Sequence, residues 1–372
     1  MAGLYVHIPF RHRDRAYDDA FVTPGADVDY EAFIHVMARE IRQHAEQYAS
    51  ELPLRSVYAG GGRPSLIPIE ALPPLLRAAN AFETDAIEEV SAEVSPKDAT
   101  ERYMKGLSAM GFNRLVLSVL SFDDAELDTI DAPHTVYDTR TCLDHARAAG
   151  IENISIDVAF GWPESTLEGW KRTLQTTVQH DVPHITLIEW PSYAVDEAQE
   201  MLRTKQYRYA LRYLQDEGFE PYEISHFAQP GYRSKHNENY WSHGSFLGIG
   251  PAAHSFWWHS ESDNPKRWAN VQSIEEYSRL LTEGESPASV RQAVDRGTLA
   301  DEYLMMRMRV IGGLDLEHYR RHYGVHLREQ HSGLIDRLQE NELVHPVEDN
   351  HLRLTDAGRL VCDEIVRRLL PK

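Results

Sequence analysis

The strongest constraint on this chain is an alternation that runs through its first 217 residues. Short apolar runs take turns with longer stretches of helical periodicity. Strand patterns fall at residues 4–8, 55–59, 89–94, 114–119, 153–159 and 184–188, with a weaker one at 220–224. Helical patterns fall between them at 27–45, 70–80, 99–110, 137–149, 167–179 and 195–217. In the first of these, Tyr30, Phe33, Ile34, Met37 and Ile41 recur at three- and four-residue steps, with Asp27 or Asp29 as cap. Strands alternating with helices predict an α/β fold, a parallel sheet joined by crossover helices. The number of units suits a partial (β/α) barrel better than an open Rossmann sheet. In such barrels function collects in the loops that follow the strands. Those loops are 11–19, 60–65, the stretch after Val94, 118–122 and 161–166.

Near residue 300 the pattern changes. Helices are predicted at 302–310, 315–323 and 327–341, then two short strands at 343–347 and 351–354 around Glu348-Asp349-Asn350. A last helix covers 355–369, with Thr355 as cap and Val361, Ile365 and Leu369 every fourth residue. The expected organisation is a barrel over 1–225, a connecting segment over 226–299 and a small winged-helix-like module over 300–372. A wing suggests DNA, and Arg320, Arg321 and His322 form a local basic cluster. The formal net charge of −20 opposes that reading, because affinity for nucleic acid comes from basic surface. A packing module is the expectation, with no nucleic-acid partner.

The segment His236 to Trp268 is aromatic and rich in histidine. It holds Trp241, Trp257, Trp258 and Trp268 beside His236, His243, His254 and His259. Flat apolar side chains next to imidazoles suit a flat apolar ligand carrying a metal. A loop-rich hydrophobic core explains the same residues, and composition alone leaves both readings open.

Other chemistries find little support. Gly60-Gly61-Gly62 lacks the lysine of a phosphate loop, and neither a GxSxG elbow nor an HExxH helix occurs. Only two cysteines exist, Cys142 and Cys362. Two thiols cannot supply the ligands of a cysteine-held cluster. Buried, inert thiols are expected. No apolar run approaches the roughly 20 residues of a membrane span. The N-terminus lacks the pattern of a secretory leader, so a cytoplasmic location is expected.

Six separated stretches then point one way. They are LYVHIPF at 4–10, YAGGGRPSL at 58–66, GFNRLVLSVLSFDDAEL at 111–127, ISIDVAFGWPESTLEGW at 154–170, YEISHFAQPGYRSKHNENYW at 222–241 and LGIGPAAHS at 247–255. Occurring in this order, they resemble the HemW branch of the radical S-adenosylmethionine proteins, relatives of oxygen-independent coproporphyrinogen III oxidase that act as heme chaperones. The resemblance covers nearly the whole chain. It implies a partial barrel whose first strand ends in a CxxxCxxC motif. That motif holds an iron–sulfur cluster, which binds and reduces S-adenosylmethionine.

The three cluster positions are here Arg11, Arg15 and Asp18. A protonated arginine offers no lone pair to iron. The cofactor pocket that the resemblance implies involves Tyr5, Gly60, Gly61, Gly62, Arg63, Glu93, Leu120 and Asp157. It is altered as well: Arg63 stands where the family has threonine, and Leu120 where it has glutamine. The usual Leu-Gly-Arg-x-His is Ile130-Asp131-Ala132-Pro133-His134, and Ile188 replaces a tyrosine. Glu93 and Asp157 keep the family residue. The expectation is that cluster and S-adenosylmethionine are gone. Arg11, Arg15 and Arg63 would then fill the emptied space against Asp18 and Asp19, unless that loop is simply solvated.

The HNxxYW motif, His236-Asn237-Glu238-Asn239-Tyr240-Trp241, is intact. The resemblance links it to heme and implies His236 as axial ligand of the heme iron. Asn237 would orient the ring, and Tyr240 and Trp241 would lie on the macrocycle. His226, where the family has asparagine, and His254 are further candidates, each with a packing role as the alternative. The expected function is heme binding or delivery without radical chemistry, with a heme-accepting protein as partner. Two alternatives stay open: an enzyme using the emptied barrel, with or without heme, and a regulatory pseudoenzyme that binds proteins.

Overall fold

A computed structural model describes residues 1–11, 23–24, 28–82, 86–191, 196–258 and 265–370. Arg15, Asp18, Asp19 and His259 lie outside the described residues, and so does any arginine–aspartate pairing that involves the first three.

Six parallel strands form the centre: β1 (Ala2–Ile8), β2 (Leu54–Gly61), β3 (Glu89–Val94), β4 (Arg114–Leu120), β5 (Asn153–Phe160) and β6 (His184–Glu189). The crossovers are α1 (Tyr30–Tyr48), α2 (Pro73–Ala79), α3 (Glu101–Ala109), α4 (Val136–Ala148) and α5 (Leu167–Gln179). Next come α6 (Glu197–Asp216), β7 (Glu220–Pro221) and β8 (His226–Ala228). β8 runs antiparallel to β6 and pairs with β7, closing that edge. The helices begin where polar side chains can hold the first free N–H groups: Asp29 caps α1, Thr100 caps α3 and Thr135 makes a capping box on α4.

Side chains alternate across these strands with a period of two. Leu4, Val6 and Ile8 of β1 join the core under the helices, as do Leu115 and Leu117 of β4 and Ile154, Ile156 and Val158 of β5. The other face carries Tyr5 and His7, Ser56 and Tyr58, Glu89, Ser91 and Glu93, Arg114, Ser155 and Asp157, then His184 and Thr186. A parallel sheet covered on both faces by apolar layers reads as continuous Val, Ile and Leu. Here the inner face is polar, so the barrel interior carries groups able to hydrogen-bond and titrate.

The stretch 236–268, for which a loop-rich core is one expectation, is largely helix and strand among its described residues. The segment 226–299 around it contributes α7 (Lys235–Trp241), β9 (Ser245–Ile249), β10 (His254–Trp257), β11 (Lys266–Asn270), α8 (Ile274–Thr282) and β12 (Ala288–Ala293). β9 adds to β1 in parallel, and β10, β11 and β12 continue antiparallel from it. The sheet therefore has twelve strands in the order β12-β11-β10-β9-β1-β2-β3-β4-β5-β6-β8-β7. Trp257 and Trp268 are core residues against Tyr48 of α1. Buried Glu40 of α1 accepts hydrogen bonds from Gly250 N, the Asn270 amide and the Tyr277 hydroxyl, tying this extension to the barrel.

The C-terminal module has its own core, built on Leu304, Tyr319, Leu338, Leu352 and Ile365. α9 (Arg296–Arg309) opens it, and the predicted last helix is two pieces, Asp356–Arg359 and Cys362–Leu369. The predicted hairpin strands are reduced to bridges Val344–Leu354 and Glu348–His351, while His351–Leu352 pairs with Leu314–Asp315. Arg320 and Arg321 both bond Glu317, which neutralises much of the local basic cluster. The module docks on the sheet through His243. Its ring stacks on Phe256, shares a hydrogen bond with the Tyr323 hydroxyl and faces Glu302, which Arg267 clamps with two bonds. Among the described residues no helix is long and apolar enough to cross a membrane.

Candidate functional site

The inner face of the barrel divides into a mouth, at the C-terminal ends of the strands, and a floor. The mouth is a cavity of about 660 Å³ lined by Arg11, Gly61, Gly62, Arg63, Glu93, Ser95, Lys97, Asp98, Ser118, His134, Asp157 and Ile188. The predicted refilling involves Arg15, Asp18 and Asp19, outside the described residues, together with Arg63 and Arg11. Arg63 turns to the wall, where its Nε and Nη2 donate to the two carboxylate oxygens of Asp98 at 2.6 Å each. Ser65 donates to the same carboxylate. Arg11 is 7% exposed and lines the cavity.

The glycine turn serves closeness. A Cβ on Gly60 would lie 2.7 Å from Glu93 Oε1, and one on Gly61 would lie 2.5 Å from His7 Nδ1 at a φ of +109°. Gly61 N then donates to Glu93 Oε2, and the Tyr58 hydroxyl donates to Oε1 at 2.8 Å. Leu120 does not enter the cavity. It is 1% exposed, in a small apolar cluster with Leu127, Ile130, Ala159 and Trp162, and its φ is +66° at a break in the β4–β5 register.

Burial drives both mouth carboxyls upward. Glu93 is pushed up to about 7, with Asp157 adding to the rise and the Tyr58 hydrogen bond opposing it. Asp157 is pushed up to about 6, against a hydrogen bond from Thr186. Asp157 Oδ1 and Ser95 Oγ make no hydrogen bond among the described residues. A carboxyl whose folded value lies above its unfolded value binds more protons when folded. Its contribution is complete below about 4.5 and is lost as pH rises through about 7. Wild-type stability is therefore expected to fall relative to Glu93→Gln across that window. The difference should be on the order of 2 kcal/mol, read from urea unfolding at a series of pH values. Parallel pH profiles would overturn the assignment.

The floor holds the predicted heme motif. Ser234 caps α7, and buried Glu89 accepts from Lys235 N, His236 N and the Ser234 and Ser91 hydroxyls. His236 is 1% exposed. Its Nδ1 lies 2.9 Å from Ser56 Oγ, and its Nε2 lies 3.0 Å from the Tyr240 hydroxyl. Its ring stacks on Tyr58 and is close enough to β1 that a Cβ on Gly3 would touch it. Burial, then Arg114, hold it neutral by lowering its pKa to about 3. Both ring nitrogens are thus engaged, and neither meets open space, so in this geometry His236 is not presented as an iron ligand.

The other candidates disperse. His226 faces Glu223, with Nδ1 3.0 Å from Oε1, and touches Asn237 at 3.5 Å. Tyr240 packs edge-on against His236 and Phe246. Trp241 keeps an indole N–H without a hydrogen bond among the described residues. His254 is exposed at the start of β10, two strands from β1. Among the described residues, no three His, Cys, Asp or Glu converge to hold a metal.

Several floor residues escaped the sequence reading. Arg114 is 1% exposed, and its Nε and Nη1 make no hydrogen bond among the described residues. Ser155 and the Tyr222 hydroxyl hold the two ring nitrogens of His184, whose pKa lies well below the usual value through burial and then Arg114. The signal was available: polar residues recur at every second position inside strands that are otherwise Val, Leu and Ile.

A conventional cluster does not fit this donor set. The first of its three positions is a guanidinium, and both cysteines are buried in helices and absent from the cavity lining. Residues 24–177 match the Radical SAM superfamily, and residues 294–361 match the HemN C-terminal domain. The chain is 27% identical over 381 residues to the heme chaperone HemW of Bacillus subtilis, with 98% of each chain covered. It is 30% identical over 275 residues to HemW of Synechocystis, covering 68% of this chain and 66% of that one. The solved coproporphyrinogen III oxidase HemN of Escherichia coli superposes with a TM-score of 0.82 at 19% identity, over 99% of this chain and 90% of that one. The α/β sheet with its polar mouth is thus of the radical SAM type. The chain belongs to the HemN-like radical SAM family, and its curated relatives include HemW heme chaperones.

Proposed function

We propose that this protein handles heme, as its HemW relatives are named for doing, and performs no radical chemistry. The carrying observation is the donor set where the family resemblance expects cluster thiolates: Arg11, Arg15 and Asp18. The two cysteines present are buried, and burial raises the pKa of both thiols. They favour the inert thiol over the thiolate that binds iron.

Heme enters this reading as cargo. The HNxxYW helix is retained whole, and a neutral imidazole is a common heme ligand. With α7 shut on the floor, His236 reaches iron only after leaving Ser56 and Tyr240. Hemin titration tests this. The wild type is expected to develop a shifted Soret band slowly, Tyr240→Phe faster because Nε2 is released, and His236→Ala not at all. A full Soret shift in His236→Ala would remove His236 as ligand and point to another histidine, with exposed His254 first. A heme-accepting protein is the partner this role calls for.

The retained mouth favours a second reading, an enzyme with a repurposed cavity. Carboxyls titrating near 6 and 7 are suited to acid–base work near neutrality.

A further inference from the structure

A second cavity, of about 390 Å³, lies outside the barrel. It sits between the ends of β5 and β6, helix α6 and the first turn of the split terminal helix. One side therefore belongs to the barrel and the other to the C-terminal module. Its walls are apolar where Phe160, Leu187, Tyr207, Ile224 and Leu360 face it.

Two guanidinium groups reach this space, and they are not equivalent. Arg203 is bonded through all three of its nitrogens: Nε donates to Gly161 O, Nη1 to Glu189 and Nη2 to Trp190 O. It serves as a clamp on the barrel rim. Arg359 is different. Its side chain is 9% exposed, and its only carboxylate within ion-pair distance among the described residues is Asp356, 3.6 Å away and itself exposed. Its Nη1 is buried and makes no hydrogen bond among the described residues. A nearly buried cation in apolar surroundings is costly unless it is paired. Retaining one at the wall of a cavity is the expected signature of a site for an anionic group.

We propose that this crevice binds a small amphipathic carboxylate, its charged end on Arg359 and its apolar end against Phe160, Leu187 and Leu360. The Tyr207 hydroxyl is already engaged by Ile224 O, so it forms wall rather than ligand contact. Glu189 is neutralised by Arg203, and Glu200 is exposed at the rim, where solvent screens its repulsion. Because the ligand touches both modules, its binding strengthens their docking.

The test uses the full chain with 3-phenylpropionate as probe and 3-phenylpropanol as its neutral counterpart, followed by calorimetry. The carboxylate is expected to bind the wild type about tenfold tighter than the alcohol, the worth of one charge-assisted contact. Arg359→Met should reduce it to the level of the alcohol, and Arg359→Lys should recover part of the difference. Thermal melting of both variants checks that the module stays folded. No saturable binding in the low millimolar range, equal binding of acid and alcohol, or unchanged affinity in a folded Arg359→Met overturns the proposal.

Discussion

Glu89→Ala is expected to destabilise the protein by about 3–5 kcal/mol, a large part of the stability of an ordinary domain. The carboxylate is 3% exposed and accepts from two backbone N–H groups at the start of α7 and from the hydroxyls of Ser234 and Ser91. Alanine leaves those donors buried without acceptors, and each costs about 1–3 kcal/mol when left unmet. A water entering the space would return part of that. Glu89→Gln keeps one acceptor oxygen and is expected to lose about half as much. Equilibrium denaturation reads both. A Glu89→Ala loss below about 1 kcal/mol would show that α7 is not held on the floor by this carboxylate.

Restoring thiols should not restore the family's chemistry. The triple variant Arg11→Cys, Arg15→Cys, Asp18→Cys is expected to produce no 5′-deoxyadenosine from S-adenosylmethionine after anaerobic reconstitution. The reason lies around the cysteine positions. Arg63 is locked to Asp98 at the position where the resemblance implies a threonine, and Ala132 stands where it implies an arginine. Leu120 presents no amide to the cavity, being turned into an apolar cluster. The described lining residues enclose a cavity of about 660 Å³, so the expectation rests on missing polar contacts at these positions. Adding Arg63→Thr and Leu120→Gln to the triple variant is the stricter form of the test. Product from the triple variant alone would show that cysteine loss is the only change that matters.

Much of the barrel was legible because its signals are local. Residues 89–94 and 167–179 fall as their periodicity predicts. Strands β9 to β12 were not, since β9 pairs with β1 across more than 240 positions and carries an interrupting glycine. The site divides the same way. Motifs identify His236 and Glu93, but only the fold brings Ser56 onto the His236 ring from 180 residues away and closes it off. The ion pair of Arg63 with Asp98 is likewise set by the tertiary fold, whereas the absence of thiols near Arg11 is plain in the chain itself.

The most direct measurement is iron, acid-labile sulfide and 5′-deoxyadenosine on wild-type protein purified and reconstituted without oxygen. A cluster-free protein should show neither bound sulfide nor nucleoside product above the level without protein. Stoichiometric sulfide together with 5′-deoxyadenosine would contradict it.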